Sequence, residues 1–356
     1  VFLEISSLSY YVMISLGRDS RALTAAYRYL VMGTIGATFY VIGVGMMYMM
    51  TGSLNMADLA TILPAVADSR TIQVALGFLI VGLGLKLALF PLHLWLPNAY
   101  AYAPSAVTAF LAATGTKVAV YAFIRIFFTV FGGVEVFNTG IITEILAVLA
   151  ALAMFGASAV AIYQTDVKRL LAYSSIAQIG YMVLGISMVT VTGLAGTIVH
   201  LFNHAIIKGG LFMAMGCIFF KIGAVQLDQF EGLGKRMPVT MAAFVAGGFG
   251  LIGVPLTVGF VSKWYLIQAA LEKGWWLAVA VILASSLLAV IYIWRGVEGA
   301  YFRPPPKGVT EVSEAPLSML VPLWVLIGAS YYFGIDATRT LDIAFVAAET
   351  LFGPPL

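Results

Sequence analysis

Ten long apolar stretches follow one another along this chain, at roughly 1–16, 25–50, 71–96, 105–131, 140–163, 168–190, 192–220, 238–271, 275–302 and 316–335. A bilayer's hydrocarbon core is about 30 Å thick and is crossed by around 20 apolar residues in a helix. Strands of a membrane barrel are alternating segments of about 10 residues, and these runs are too long and too continuous for that. Every backbone polar group in lipid must be satisfied within its own helix, so the expected fold is an all-α polytopic membrane protein of about ten transmembrane helices. Composition agrees: 62% of the residues are hydrophobic and 10% are charged, against about 25% charged in soluble domains. That excludes soluble enzymes, nucleic-acid binders and disordered linkers. The single cysteine, Cys217, excludes a disulfide framework and a Cys-ligated cluster or zinc site within the chain.

The first stretch begins abruptly in apolar sequence. With no initiator Met, basic flank or cleavage site it does not read as a signal peptide, and the chain is expected to be N-terminally incomplete. Orientation follows from the basic residues. The joints after odd-numbered stretches hold Arg18, Arg21, Arg28, Lys168, Arg169, Lys221, Lys235, Arg236, Arg295, Arg303 and Lys307, whereas the opposite side holds Arg70, Arg125, Lys273 and Arg339. The positive-inside rule places the first group in the cytoplasm, or the matrix or stroma of an organelle.

Two stretches are interrupted, the third by Phe90-Pro91 and Leu96-Pro97 and the eighth by Gly253-Val254-Pro255-Leu256-Thr257-Val258-Gly259. Proline removes a backbone donor and clashes with the preceding turn, so a kink or unwound segment is expected at each. Broken helices at corresponding places in two halves are a pointer to a transporter's ion path. A simple kink is the plain alternative, but a lysine lies beside each break.

Four lysines remain inside the apolar runs, Lys86, Lys117, Lys208 and Lys263, together with Glu4, His200 and His204. A charge at the bilayer centre costs about 2.5–3.5 kcal/mol on insertion scales, so these side chains are expected to face a hydrated or paired interior rather than lipid. Snorkelling to the interface is the alternative for a lysine near a helix end. His200, His204 and Lys208 recur every fourth residue and form one polar stripe on a helix, bordered by Asn203. A His pair at this spacing can bind a metal, but no third ligand lies nearby. A stripe of imidazole and amine suits proton passage, and a purely structural hydrogen-bonded stripe is the alternative. Glu4 beside a lysine would hold that lysine charged. Separating the two would favour release of its proton, which is a physical basis for pumping by switched ion pairs.

At these residues the sequence resembles a known family. The segment 86–104, KLALFPLHLWLPNAYAYAP, continuing to Lys117, Tyr121 and Arg125, is similar to antiporter-like membrane subunits of respiratory complex I and of multisubunit Na+/H+ antiporters. So are 166–181, DVKRLLAYSSIAQIGY, the His200/His204/Lys208 stripe and 253–264, GVPLTVGFVSKW. The resemblance implies a fourteen-helix fold holding two inverted five-helix repeats, each with a broken helix, of which four N-terminal helices are missing here. It makes Glu4 and Lys86 an acid–lysine pair, Lys117 a central lysine, Lys263 the lysine of the second broken helix, and His200 and His204 a link between half-channels. Asn98 and Tyr100 depart from an acidic residue and a histidine common in relatives, and Leu256 from a proline. Lys263 with Asn98 and Tyr100 looks closest to the D-type component of Mrp antiporters.

The expected organisation is a first, incomplete repeat over 1–131, a second over 140–302, and a C-terminal helix and tail over 303–356. The expected function is translocation of protons, or of sodium against protons, along Glu4–Lys86–Lys117–His204/His200–Lys208–Lys263, in a larger multisubunit complex of the cell's inner (plasma) membrane. The chain has no nucleotide, flavin, haem or iron–sulfur motif, so no cofactor is expected and the driving energy would come from a partner or a gradient. Nor does the sequence decide between an antiporter and a redox-driven enzyme complex. Two rivals remain: a quinone-interacting or structural membrane subunit, with Tyr100 and Tyr102 as anchors, and a secondary transporter of an organic solute.

Overall fold

The computed structural model describes residues 2–17, 19–132, 140–305 and 312–353, so Arg18 and Lys307 of the charge count lie outside the described residues. Among the described residues the chain is helical throughout, without strands, and eight helices are long and apolar enough to cross a membrane. The protein is an all-α polytopic membrane protein.

The first half begins with α1 (Phe2–Ser15) and α2 (Ser20–Thr51). α2 starts five residues before its apolar run because Asp19 caps it, accepting from Arg21 N at 2.8 Å, which satisfies a backbone donor otherwise left open. Short α3 (Met56–Val66), which the long apolar stretches did not mark, leads to α4 (Arg70–Leu87). α4 stops where the first break was expected. Ala88 turns left-handed at φ 61°, residues 88–95 form successive turns, and α5 (Leu96–Tyr102) resumes with Pro97 in its first turn. Trp95 Nε1 donates to Leu85 O at 2.8 Å, closing one carbonyl that the break exposes.

α6 (Ser105–Val130) corrects the expectation of a plain helix over 105–131, because π turns at Leu111–Gly115 and Arg125–Val130 interrupt it. A π turn hydrogen-bonds from residue i to i+5 and leaves the ladder irregular. No local sequence signal of the kind that marks proline breaks announced it.

The second half holds α7 (Ile141–Ile162), α8 (Val167–Ser187), α9 (Val191–Ile222), α10 (Pro238–Ile252), α11 (Val258–Glu272) and α12 (Trp276–Phe302). It is followed by α13 (Leu317–Ile335) and an amphipathic helix α14 (Thr338–Phe352). The second break falls between α10 and α11, where Gly253 (φ 88°) closes α10 by donating to Phe249 O. All residues of α8 except Arg169 and Tyr173 are buried, the polar Lys168, Ser174, Ser175 and Gln178 included, so other helices surround it. α9 is the hub: α6, α8, α10, α11, α13 and α14 all pack on it. Close approach depends on small residues. A Cβ on Gly185 of α8 would collide with Thr197 Oγ1 of α9 and lie 2.6 Å from Leu266 of α11.

Candidate functional site

The sequence-predicted side chains come together as a line through the interior, beginning at the first break. Lys86 sits in the last turn of α4, where unpaired carbonyls concentrate negative potential. Its ammonium forms an ion pair with Glu4 Oε1 of α1 and donates to Ser7 Oγ at 3.0 Å. The Lys86 side chain is only 7% exposed, so it does not snorkel, while Glu4 is 38% exposed. Beside the pair lies a cavity of about 40 Å³, lined by Ser6, Ser7, Tyr29, Lys86, Tyr100 and Thr116 among others. That volume is enough for a few waters by the rule that one needs about 10–15 Å³.

The far wall of this cavity belongs to α6, one residue from Lys117. Lys117 is buried and its ammonium reaches back to Ala112 O, inside the first π turn. The irregular backbone thus supplies the acceptor that a regular helix withholds. Tyr100 Oη donates to Leu111 O of the same turn at 3.2 Å and is buried. Its hydroxyl is committed to the backbone, which removes it as a free anchor for a quinone. Tyr102 instead lines a separate large cavity and stacks under the Arg21 guanidinium at 4.7 Å.

The stripe on α9 is buried as a unit. Lys208 is 0% exposed and donates to Leu171 O at 2.7 Å and Ser174 Oγ at 2.5 Å, both on α8. Its charge and that of Lys117 both act on His204. His204 and His200 stack with ring centroids 6.2 Å apart and planes 2° from parallel. His200 Nδ1 pairs with Ser262 Oγ at 2.8 Å, whereas His200 Nε2 and both ring nitrogens of His204 have no protein partner among the described residues. Asn203 Nδ2 donates to Val258 O at 2.7 Å and so pins the start of α11 to α9.

The line ends at the second break. Lys263 of α11 donates to Leu251 O (3.1 Å) and Ile252 O (2.8 Å), the carbonyls released where α10 stops, and to Ser286 Oγ (3.0 Å). Its ammonium lies 4.9 Å from the centre of the Tyr181 ring, which is 5.6 Å from His200. Each break therefore carries a buried ammonium, but only Lys263 rests on the carbonyl end of a half-helix, whereas Lys86 turns to Glu4 and Ser7. The Lys263 contact matches the preference of cations for helix C-termini.

Glu4 and Lys86 meet as an ion pair, and Lys208, His204, His200 and Lys263 follow one another across α8, α9 and α11, whereas Lys117 is held within α6. The serines that hold them (Ser7, Ser174, Ser262 and Ser286) were not predicted. Hydroxyls in apolar helices commonly bond their own preceding turn, so serine carries little signal alone. Lys168, counted with the joint before α8, is 4% exposed and donates to Ala103 O at 3.4 Å.

A polytopic helical protein with a buried file of lysines and histidines and two broken helices belongs to the class of ion-pathway membrane subunits by architecture. Comparison with known proteins narrows this. Residues 1–289 match the family described as NADH:quinone oxidoreductase/Mrp antiporter, transmembrane, and the chain belongs to that family. It is 47% identical over 338 residues to NADH-quinone oxidoreductase subunit N of Desulforudis audaxviator (strain MP104C), covering 92% of this chain and 67% of the relative. The chain thus spans about two-thirds of that relative's length. Its fold matches a chain of the membrane-bound sulfane sulfur reductase, an archaeal respiratory membrane complex, with TM-score 0.91 and 34% identity over 99% of this chain and 70% of the other. It also matches a chain of the Mrp complex from Dietzia sp. DQ12-45-1b, with TM-score 0.90 and 26% identity over 99% and 73%. Both branches to which the motifs pointed, respiratory and Mrp-type, are represented.

Proposed function

We propose that this chain conducts protons through the interior of a larger complex in the cell's inner (plasma) membrane, along Glu4–Lys86–Lys117–Lys208–His204–His200–Lys263, the order in which helix spacing and the His200–Tyr181–Lys263 contacts set the expected residues. The observation that carries this reading is how the lysines are held. Lys117, Lys208 and Lys263 each rest on neutral oxygens of backbone and serine, and among the described residues only Lys86 of these four has a carboxylate partner. An ammonium locked to a carboxylate stays put, whereas one held by neutral acceptors can pass its proton and remain hydrogen-bonded as an amine. The stacked imidazoles sit between these lysines with open nitrogens, which suits donation on one side and acceptance on the other.

Glu4 is the switch in this reading. With Glu4 in contact, Lys86 keeps its proton. When Glu4 withdraws, the ammonium loses its counter-charge in a nearly dry site and its proton moves toward the cavity and Lys117. The motion that separates them is supplied by partner subunits, since the names of the matched structures are those of multisubunit membrane complexes. Residues 1–131, an incomplete repeat, and 140–302, a second one, act as inverted repeats, each built round one break. Whether sodium is exchanged for the proton is a property of the assembled complex.

The test is proton flux in inverted membrane vesicles that contain the whole complex. Replacing Lys86 by Ala should abolish ion-coupled acidification while the complex assembles. Wild-type flux in that variant would remove the pathway as drawn.

A further inference from the structure

A large cavity lies away from the line just described, and the pathway above does not use it. Its volume is about 870 Å³, and it opens between the two halves of the chain. One wall is the α1–α2 turn with the segment after α5, namely Gly17, Asp19, Arg21, Tyr102 and Ala103. The other is the start of α8 with the end of α9, namely Asp166, Lys168, Phe219 and Ala224. Those joints belong to the side that the positive-inside count places in the cytoplasm.

Of the four charged side chains in this wall, three are engaged. Asp19 pairs with Arg21, and Asp166 caps α8 through Arg169 N (3.0 Å) and accepts from Gln226 Nε2 (3.1 Å). Lys168 differs. It is 4% exposed, and among the described residues its single hydrogen bond is a long one of 3.4 Å to Ala103 O and it forms no ion pair, although the Asp166 charge acts on it and the Phe219 ring lies 5.3 Å away. A buried ammonium so weakly bound is expensive if its only task is structural.

Its position on α8 gives it another task. Leu171, whose carbonyl accepts from Lys208, is three residues further along, and Ser174, the second acceptor of Lys208, is six. Residues three apart share a helix face about 4.5 Å apart along the axis. Ser174, six residues on, lies about 9 Å further along the axis, so the floor of the cavity and the middle of the buried file are separated by nearly two helical turns.

Resting on the proton-conducting reading above, we infer that Lys168 is the proton-uptake residue of a branch that joins this cavity to Lys208, so that the file is fed at its centre from the positively charged side. In the step, the Lys168 amine accepts a proton from a hydronium of the cavity, forming one N–H bond. The ammonium then gives one proton, through water bridging the gap along α8, to the Ser174 hydroxyl, which passes one on to the Lys208 amine, and Lys168 returns to the amine. One proton moves inward, no electrons change hands, and the Ser174 hydroxyl is restored by passing on one proton for each received.

The test uses the whole complex in inside-out vesicles, with Lys168→Arg as the main variant. Arginine keeps the charge and a donor for Ala103 O but does not release a proton at any relevant pH. Assembly should be retained and proton flux should fall at least tenfold. Wild-type flux in an assembled Lys168→Arg complex overturns the inference. An independent arm places a cysteine in the same wall as Lys168, Ala224→Cys, and compares flux in the same vesicles before and after sulfonatoethyl methanethiosulfonate. The unsubstituted chain, whose Cys217 is buried, is the control. Loss of flux on labelling supports the branch. Unchanged flux with labelling confirmed by mass spectrometry overturns it, including where Lys168→Arg fails to assemble. Lys86→Ala run alongside separates the two readings: if it abolishes flux and Lys168→Arg does not, the branch fails and the main file stands.

Discussion

The Glu4–Lys86 contact offers the sharpest quantitative test. The perturbation is a double-mutant cycle of Glu4→Gln, Lys86→Met and the pair, where glutamine preserves shape and methionine preserves most of the stem. Two unit charges 4 Å apart interact by about 4 kcal/mol at an effective dielectric of 20. The Lys86 side chain is 7% exposed but that of Glu4 is 38% exposed, so water screens the pair and the coupling should shrink to about 1–2 kcal/mol. On a rate this is a non-additivity of roughly 5–30-fold. Glu4→Gln and Lys86→Met should each impair flux, the first by loosening the switch and the second by removing the carrier. The double variant should be no slower than Lys86→Met alone, because Glu4 has no partner left to switch. The assay is initial acidification of inverted vesicles at matched complex content, at low and high salt. The serine bond at 3.0 Å is untouched in Glu4→Gln, so any loss there reports the charge rather than the packing. Losses that multiply across the two sites would refute the switch and leave the pair a static ion bridge.

Two other perturbations probe the far end and the packing. Lys263→Glu should retain measurable pH-gradient formation, since a protonated acid still titrates and donates one hydrogen bond to Ile252 O, whereas Lys263→Met should be inactive; equal loss in both, with poor assembly, would make Lys263 only the cap of α10. Gly185→Ala should destabilise by about 1–3 kcal/mol through overpacking, since its Cβ meets Thr197, Leu266 and the Gly193 carbonyl. Thermal unfolding of the purified complex checks this, and an unchanged midpoint would mean that α8 and α9 separate without penalty.

Much of this molecule is written locally. A run of about 20 apolar residues becomes a helix in lipid wherever it sits, so the spans were legible from hydropathy, and Pro91, Pro97, Gly253 and Pro255 marked both breaks because a missing donor or a left-handed turn is a property of the residue itself. The His200–His204–Lys208 stripe was legible because helical spacing alone puts those side chains on one face. Tertiary structure decided the rest. Glu4 and Lys86 are far apart along the chain, and no local periodicity pairs them. The π turn that holds Lys117, the serines that receive Lys208 and Lys263, and the amphipathic α14 packed on α9 all depend on neighbours from elsewhere in the chain. Lys168 shows the limit most plainly. Beside Asp166 and Arg169 it reads as a residue of a solvated joint, and only the packing of the segment after α5 over the start of α8 buries it. Hydropathy and spacing act over a few residues, whereas which charge meets which acceptor is set by how whole helices pack.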